Sequence, residues 1–355
     1  MQKIFSKWVQ RYFSNEEAIL LFVLLFTAAL TIWYLGSALI PVFASLILAF
    51  MMQGGLDKLR DLGVGHKTSA FIVFALFTGV VAALFLIILP LVWTQLVNLF
   101  NELPRMAGQL QKTLMLLPEA YPQFITAEQI RSIIGGAASE ASKLGQWVFN
   151  FSLNSLTGVL TVLIYFVLVP MLVLFFLLDG DKLIKGWTAF LPDHRPVIRQ
   201  VWAEMDMQLA NYIRGKAIEI VIVGVATYIA FAILDINYAA LLALAVGLSV
   251  LIPYIGAAIV TLPVALIAFF QWGWSDQFIY LMVAYTIIQA IDGNVIVPLL
   301  FSEAVNLHPV SIIVSVLVFG SLWGFWGVFF AIPLATLVKS IVNAWPKSED
   351  IPPLS

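Results

Sequence analysis

Apolar residues run in long blocks along most of this chain, and the polar residues fall between the blocks rather than alternating within them. About 20 consecutive apolar residues cross a bilayer as a helix. By that measure 18–36 is a first span and 38–52 a second, shorter one. Gly36 and Ser37 lie between them and Pro41 near the second start, which predicts a bent helical hairpin over 18–52. A polar loop, 53–67, follows. Residues 68–99 are long enough to cross and project beyond the hydrocarbon. Further spans are 150–178, 217–234 and 277–300. Two more blocks, 238–270 and 309–343, are too long for one simple crossing, and helix breakers interrupt each. The pattern predicts an all-α polytopic membrane protein of about eight membrane helices with two broken or hairpin segments.

Four stretches depart from this pattern. Residues 1–17 interleave Lys3, Lys7 and Arg11 with Trp8, Tyr12 and Phe13, an amphipathic lead-in for a membrane surface. Residues 101–148 contain Pro104, Pro118, Pro122, Gly135 and Gly136 with balanced charge, which predicts a small helical extramembrane cap within the unit 68–178. In 193–216, Ile198, Trp202, Met205, Leu209 and Ile213 recur at helical spacing. Pro196 suits a first turn and Asp193 an N-cap, so this reads as an interfacial helix on the cytoplasmic face. Residues 217–343 then form the transport core, and 344–355 a polar tail.

Composition narrows the class. The chain is 62% hydrophobic and 11% charged, far from a soluble globule. A net charge of −2 without a large basic patch argues against nucleic acid. Cysteine is absent, and the three histidines, His66, His194 and His308, are scattered, so no cofactor or metal is expected. No HExxH, GxSxG or Walker loop occurs, which argues against an enzyme and makes an ion gradient or a partner the energy source for any active transport. The 18 basic residues concentrate before the first span, in 53–67 and in 179–216, while the loops 235–237, 271–276 and 302–308 carry none. The positive-inside rule therefore places both termini in the cytoplasm and the cap on the outer face. In a bacterium this is the inner membrane, with lipid as the surrounding partner.

The candidate site lies in 285–310. Gln289, Asp292, Gly293 and Asn294 sit in the middle of an apolar run, and Gly293 and Pro298 are poor residues for an uninterrupted helix. An ionisable group at such depth costs about 2.5–3.5 kcal/mol on insertion scales, so it faces protein or a wet cavity. A broken helix with a carboxylate at membrane depth is how transporters build a binding site; a helix cap or interhelical hydrogen bond is the plain alternative. Two other stretches echo each other: YIGAAIVTLPVAL (254–266) and FWGVFFAIPLATL (325–337). As hairpins flanking 277–300, they would bring their tips together near mid-membrane. Pro253, Tyr254 and Gly256 then form one tip and Gly324 and Gly327 the other, with Pro333 beyond it; kinks and small-residue packing are the competing readings. His308 is a candidate proton carrier or a cap. Arg214 and Glu219 are a candidate pair at a cytoplasmic entrance, where Lys216 reads as an anchor.

LIPYIGAAIVTLP, QAIDGNVIVPLLF, VNLHPVSIIVSVLVFGSLWGFWGVFFAIPLA and YIRGK resemble the autoinducer-2 exporter family, in its permease branch, over nearly the whole chain. The resemblance implies eight or so membrane helices, export of small solutes including a quorum-sensing signal in one member, cation–proton antiport in others, and homo-oligomers, with a pentamer expected. Members commonly carry Glu where this chain has Asp292. The reading favoured by residues and resemblance together is a secondary transporter exporting small solutes, by rocking or elevator movement and with proton coupling. A monovalent cation/proton antiporter is the alternative. A non-transporting scaffold or channel is the third.

Overall fold

A computed structural model describes residues 16–115, 156–192, 195–301 and 307–345, with scattered residues between 126 and 143. Among them the chain is helical and has no strand. The elements are α1 (Glu16–Asp61), α2 (His66–Leu114), α3 (Leu156–Thr188), α4 (Pro196–Ile233), α5 (Ala239–Ser249), α6 (Ile255–Trp272) and α7 (Asp276–Ile291). A π-helical turn, Asp292–Ile296, joins α7 to α8 (Val297–Phe301), and α9 (Pro309–Phe329) and α10 (Ala331–Ala344) follow. Eight helical stretches among the described residues are long and apolar enough to cross a membrane.

The first two predicted spans are not separated by a turn. Helical hydrogen bonding continues through Gly36 and Ser37, so 18–52 lies within the single element α1. That helix is nevertheless bent. Glu17 Oε1 accepts a hydrogen bond from the Ile198 backbone N–H at 2.9 Å. The Arg214 Nε donates to the Phe50 carbonyl at 3.2 Å. Straight helices would separate residues 17 and 50 by about 50 Å, but 198 and 214 by only about 24 Å. Side chains close about 20 Å of the difference at most, which is not enough. Gly36 and Pro41 are the helix breakers available in that interval.

Other boundaries move as well. The predicted loop 53–67 shrinks to 62–65, because α1 runs to Asp61 and α2 starts at His66. Residues 101–114 of the predicted cap continue α2 through Pro104, and most of 116–155 lies outside the described residues. So do the lead-in up to residue 15 and the tail from 346. The α3 helix carries Asp179 and Asp181 within it and ends at Thr188. The amphipathic stretch from 196 is not a separate helix. It is the first part of α4, which runs on to Ile233. Arg195 occupies the N-cap position, with Pro196 in the first turn; the N-cap candidate Asp193 lies outside the described residues.

The blocks 238–270 and 309–343 do turn back on themselves. At the base of the first, Gln271 accepts from the Asn237 N–H at 2.7 Å and donates to the Asp235 carbonyl at 2.8 Å. Start and finish of this segment therefore lie side by side, and α5–α6 is a helical hairpin. Its tip is non-helical, with Tyr254 at φ +62°. At the second tip, Gly324 takes φ 58°, ψ −135°. The two glycines that the sequence echo aligns hold the same place. A Cβ on Gly256 would collide with the Ser249 carbonyl, and a Cβ on Gly327 with the Phe319 carbonyl. Small residues also set the helix spacing: a Cβ on Gly247 of α5 would stand 3.0 Å from the Gly224 Cα of α4.

Among the described residues, three apolar clusters hold these parts together. Ala49, Met52, Leu56, Ala70, Val173 and Leu177 join α1, α2 and α3. Val223, Phe231, Val246, Val264, Leu281 and Tyr285 join α4 to the first hairpin and α7. Tyr212, Ile213, Phe301, Ile312, Phe329 and Ile332 join α4 to α8 and the second hairpin.

Candidate functional site

The polar centre of the molecule is built where α4, both hairpin tips and the π-helical turn meet. Pro298 explains the π-turn. It has no N–H to offer, and its ring crowds the carbonyl four residues back. The chain accommodates it by widening: the Val297 N–H bonds to the Asp292 carbonyl, an i→i−5 step. The helix thus survives Gly293 and Pro298 instead of breaking, as the sequence had suggested. Asp292 is buried within it, at 8% exposure, and its Oδ1 has no hydrogen-bond partner.

The facing residues come from α4. Tyr212, Lys216, Glu219, Val223 and Thr227 are all buried and recur at three- and four-residue steps, so they form one inward stripe. Lys216 Nζ lies 2.8 Å from Glu219 Oε2. It also donates to the Val250 carbonyl at 2.8 Å, at the C-terminal end of α5. The Phe301 ring lies 5.2 Å from the same ammonium. That ring packs so closely on Gly215 that a Cβ there would approach it to 2.6 Å. One turn away, the Tyr212 hydroxyl donates to the Phe329 carbonyl at 2.7 Å, just beyond the second tip. The YIRGK stretch therefore contacts both hairpins within about one helical turn. Asp292 is in electrostatic reach of Lys216 and of Glu219. One ammonium thus faces two carboxylates in a site of low dielectric, where charges interact strongly.

Of the residues singled out in the sequence, the structure brings Asp292 and Glu219 into electrostatic reach, with the first tip held at Val250 beside them and the second at Phe329 farther along α4. Gln289 lies one turn before Asp292, half-buried, with its Nε2 unpartnered. Farther along the same face, the Tyr285 hydroxyl pairs with Thr261 Oγ1 at 2.9 Å. Asn294 turns away: it is exposed and donates to the Ala290 carbonyl of its own helix. Gly293 and Pro298 are also on the exposed side. Pro253 is half-buried in the first tip. Tyr254 is 58% exposed and lines an apolar groove of about 490 Å³ with Ile259, Leu262 and Ile313, away from the charged centre. Pro333 is buried in α10. His308 caps α9, its Nδ1 accepting from the Val310 N–H at 3.3 Å. Arg214 does not pair with Glu219; it reaches Phe50 instead.

Lys216, Tyr212 and Phe301 were missed. The available signal was Lys216 and Glu219 three residues apart on one helix face that also carries Tyr212. It was hidden because Arg214 and Lys216 together look like a basic membrane anchor. No group of three or more His, Cys, Asp or Glu side chains that could hold a metal ion occurs among the described residues.

Residues 19–347 match the model of the AI-2E family transporters. The chain belongs to the AI-2E family. The match covers nearly all the described helices, so both hairpins and the charged centre lie within it. A relative in Escherichia coli K12, "Putative permease PerM", is 42% identical over 98% of this chain and 99% of its own length. "Putative transport protein YueF" of Bacillus subtilis is 25% identical over 86% and 84% of the two chains. A "Putative transport protein" of Thermotoga maritima is 24% identical over 84% and 86%. This is a multi-span membrane protein of a transporter family, and not of an enzyme family.

Proposed function

We propose that the chain is a secondary transporter that exports small solutes across the bacterial inner membrane, with Asp292 coupling their movement to protons. The observation that supports this most is the meeting of two hairpin tips on α4 beside a buried carboxylate whose Oδ1 is unpartnered. Non-helical tips at membrane depth are tolerated only where protein or water satisfies their backbone. Here α4 side chains do so, through contacts that a moving hairpin can make and break. In this reading both termini are cytoplasmic, α4 and the early helices stay fixed, and the hairpins expose the centre alternately. The solute is small and polar or weakly amphipathic, and the working form is a homo-oligomer.

The test is flux in proteoliposomes carrying an imposed pH gradient. Asp292→Asn should insert and fold, yet lose pH-driven flux. Wild-type rates in that variant would remove Asp292 from the mechanism. Two buried carboxylates facing one ammonium favour a second reading, a monovalent cation/proton antiporter. Sodium- or lithium-dependent collapse of a proton gradient, in the absence of organic solute, would select it.

A further inference from the structure

Lys216 is an unusual side chain to keep in such a place. It is 5% exposed, in a span that is otherwise largely apolar. It ion-pairs with the Glu219 carboxylate and donates a hydrogen bond to the Val250 carbonyl, each at 2.8 Å. The face of Phe301 lies on a third side. A carboxylate, a carbonyl at the negative end of a helix and an aromatic face are what a protein uses to receive a free ammonium ion. Beside this cage, Asp292 Oδ1 and Gln289 Nε2 are buried without partners. The cage is filled by the protein's own cation, while Asp292 Oδ1, in electrostatic reach of that cation, has no hydrogen-bond partner.

We propose that Lys216 is a tethered counter-ion, which fills the Glu219–Val250–Phe301 ammonium cage in the empty carrier and yields its neutralising role to a primary ammonium group entering beside Asp292. This deepens the transport reading and rests on it. It assigns the ligand a cationic head with N–H donors. It also gives binding a mechanical effect: an ammonium drawn away from Val250 releases the first hairpin tip from α4.

The cage can be tested apart from transport. Lys216→Ala removes three methylenes and the ammonium, the volume of n-propylammonium. In detergent, the variant should unfold roughly 5–10 °C below wild type, because it leaves a buried carboxylate without its partner. Millimolar n-propylammonium should restore at least half of that loss. Tetramethylammonium and sodium at equal concentration should not, since neither carries N–H donors. No restoration by n-propylammonium, or equal restoration by all three salts, overturns the proposal. If Lys216→Ala does not fold, Lys216→Met/Glu219→Gln decides. It should unfold near the wild-type temperature, and a loss equal to the sum of the single variants overturns the counter-ion role. The wild type should gain a smaller thermal shift from n-propylammonium, absent in Asp292→Asn; an equal shift in that variant removes Asp292 from the site. Amine restoration without flux of any solute by wild-type vesicles would sink the transport reading and leave the cage standing.

Discussion

Replacing Gly256 and Gly327 by alanine tests whether the two tips are equivalent and essential. In each case the new methyl points at a backbone carbonyl, Ser249 in the first hairpin and Phe319 in the second, at a separation no Cβ tolerates. Neither carbonyl can swing away as a side chain would, because each belongs to helical backbone packed within its own hairpin. The hairpin must open by more than 1 Å or so. Overpacking costs about 1–3 kcal/mol where side chains can yield, and these two positions should exceed that. Two internal controls calibrate the scale. Gly215→Ala meets only the Phe301 ring, at 2.6 Å, and should fall within the ordinary range. Gly293→Ala meets nothing within 4 Å and does not need a positive φ, so it should be neutral or gain up to about 1 kcal/mol from helix propensity. Thermal unfolding of detergent-purified protein, followed by the loss of a monodisperse chromatographic peak, reads all four. The expected order of loss is Gly256 and Gly327 together, then Gly215, then Gly293. If Gly256→Ala or Gly327→Ala unfolds with Gly293→Ala, the close approach described at that tip is wrong.

Other substitutions probe single contacts. Tyr212→Phe keeps the rings packed against Phe301 and Phe329 but leaves the Phe329 carbonyl without its hydroxyl donor. It should lose about 1–3 kcal/mol and speed hydrogen exchange at the second tip only; uniform exchange changes would count against a local cap. Gln271→Ala removes both hydrogen bonds at the base of the first hairpin, and should lose about 1–3 kcal/mol in total. A cysteine pair at 237 and 271 should form a disulfide in the otherwise cysteine-free chain; failure to crosslink under mild oxidation would argue for a single kinked crossing.

Hydropathy made the membrane class legible, because a helix in lipid leaves a long apolar record in the sequence. The two interrupted blocks were legible for a related reason, though hairpins and kinked crossings stayed open in the sequence. Gly256 and Gly327 recur six or seven residues before Pro263 and Pro333, and a tight return at membrane depth has few residue types to choose from. Asp292 was legible as a carboxylate out of place. Its neighbours were not. Asn294, two residues on, looked equally functional, but about 100° of rotation per residue carries a side chain two positions on to the opposite face of the helix, where it bonds the Ala290 carbonyl. The start of α4 misled in the opposite way. Its amphipathic first turns suggest a helix lying on the surface, yet no breaker separates them from the buried span, so one rod serves both environments. Lys216 was read as a surface anchor because charge near a predicted boundary is usually solvated. Its burial comes from three elements distant in sequence, at Val250, Asp292 and Phe301, which no local window contains.

The placement of apolar contacts bears on which parts move. The charged centre lies between two clusters that exclude water. One comprises α4, the first hairpin and α7, through Val223, Phe231, Val246, Val264, Leu281 and Tyr285. The other comprises α4, α8 and the second hairpin, through Tyr212, Ile213, Phe301, Ile312, Phe329 and Ile332. Helix α4 belongs to both, so displacing it would disrupt both seals at once and open a continuous leak. Each hairpin belongs chiefly to one. Tilting the first hairpin breaks the Val246 and Val264 contacts and leaves the Phe329 cluster shut; tilting the second does the reverse. A carrier needs that independence, because its gates must never open together. The polar tethers follow the same division, Lys216 holding the Val250 carbonyl of one hairpin and Tyr212 the Phe329 carbonyl at the other. In the proposed cycle, α4 is therefore the stationary axis, and occupancy of the charged centre governs the Lys216 tether but not the Tyr212 one. Ligand should accordingly loosen the first hairpin preferentially, and a cysteine accessibility scan that found α4 itself moving against α1 would contradict that assignment.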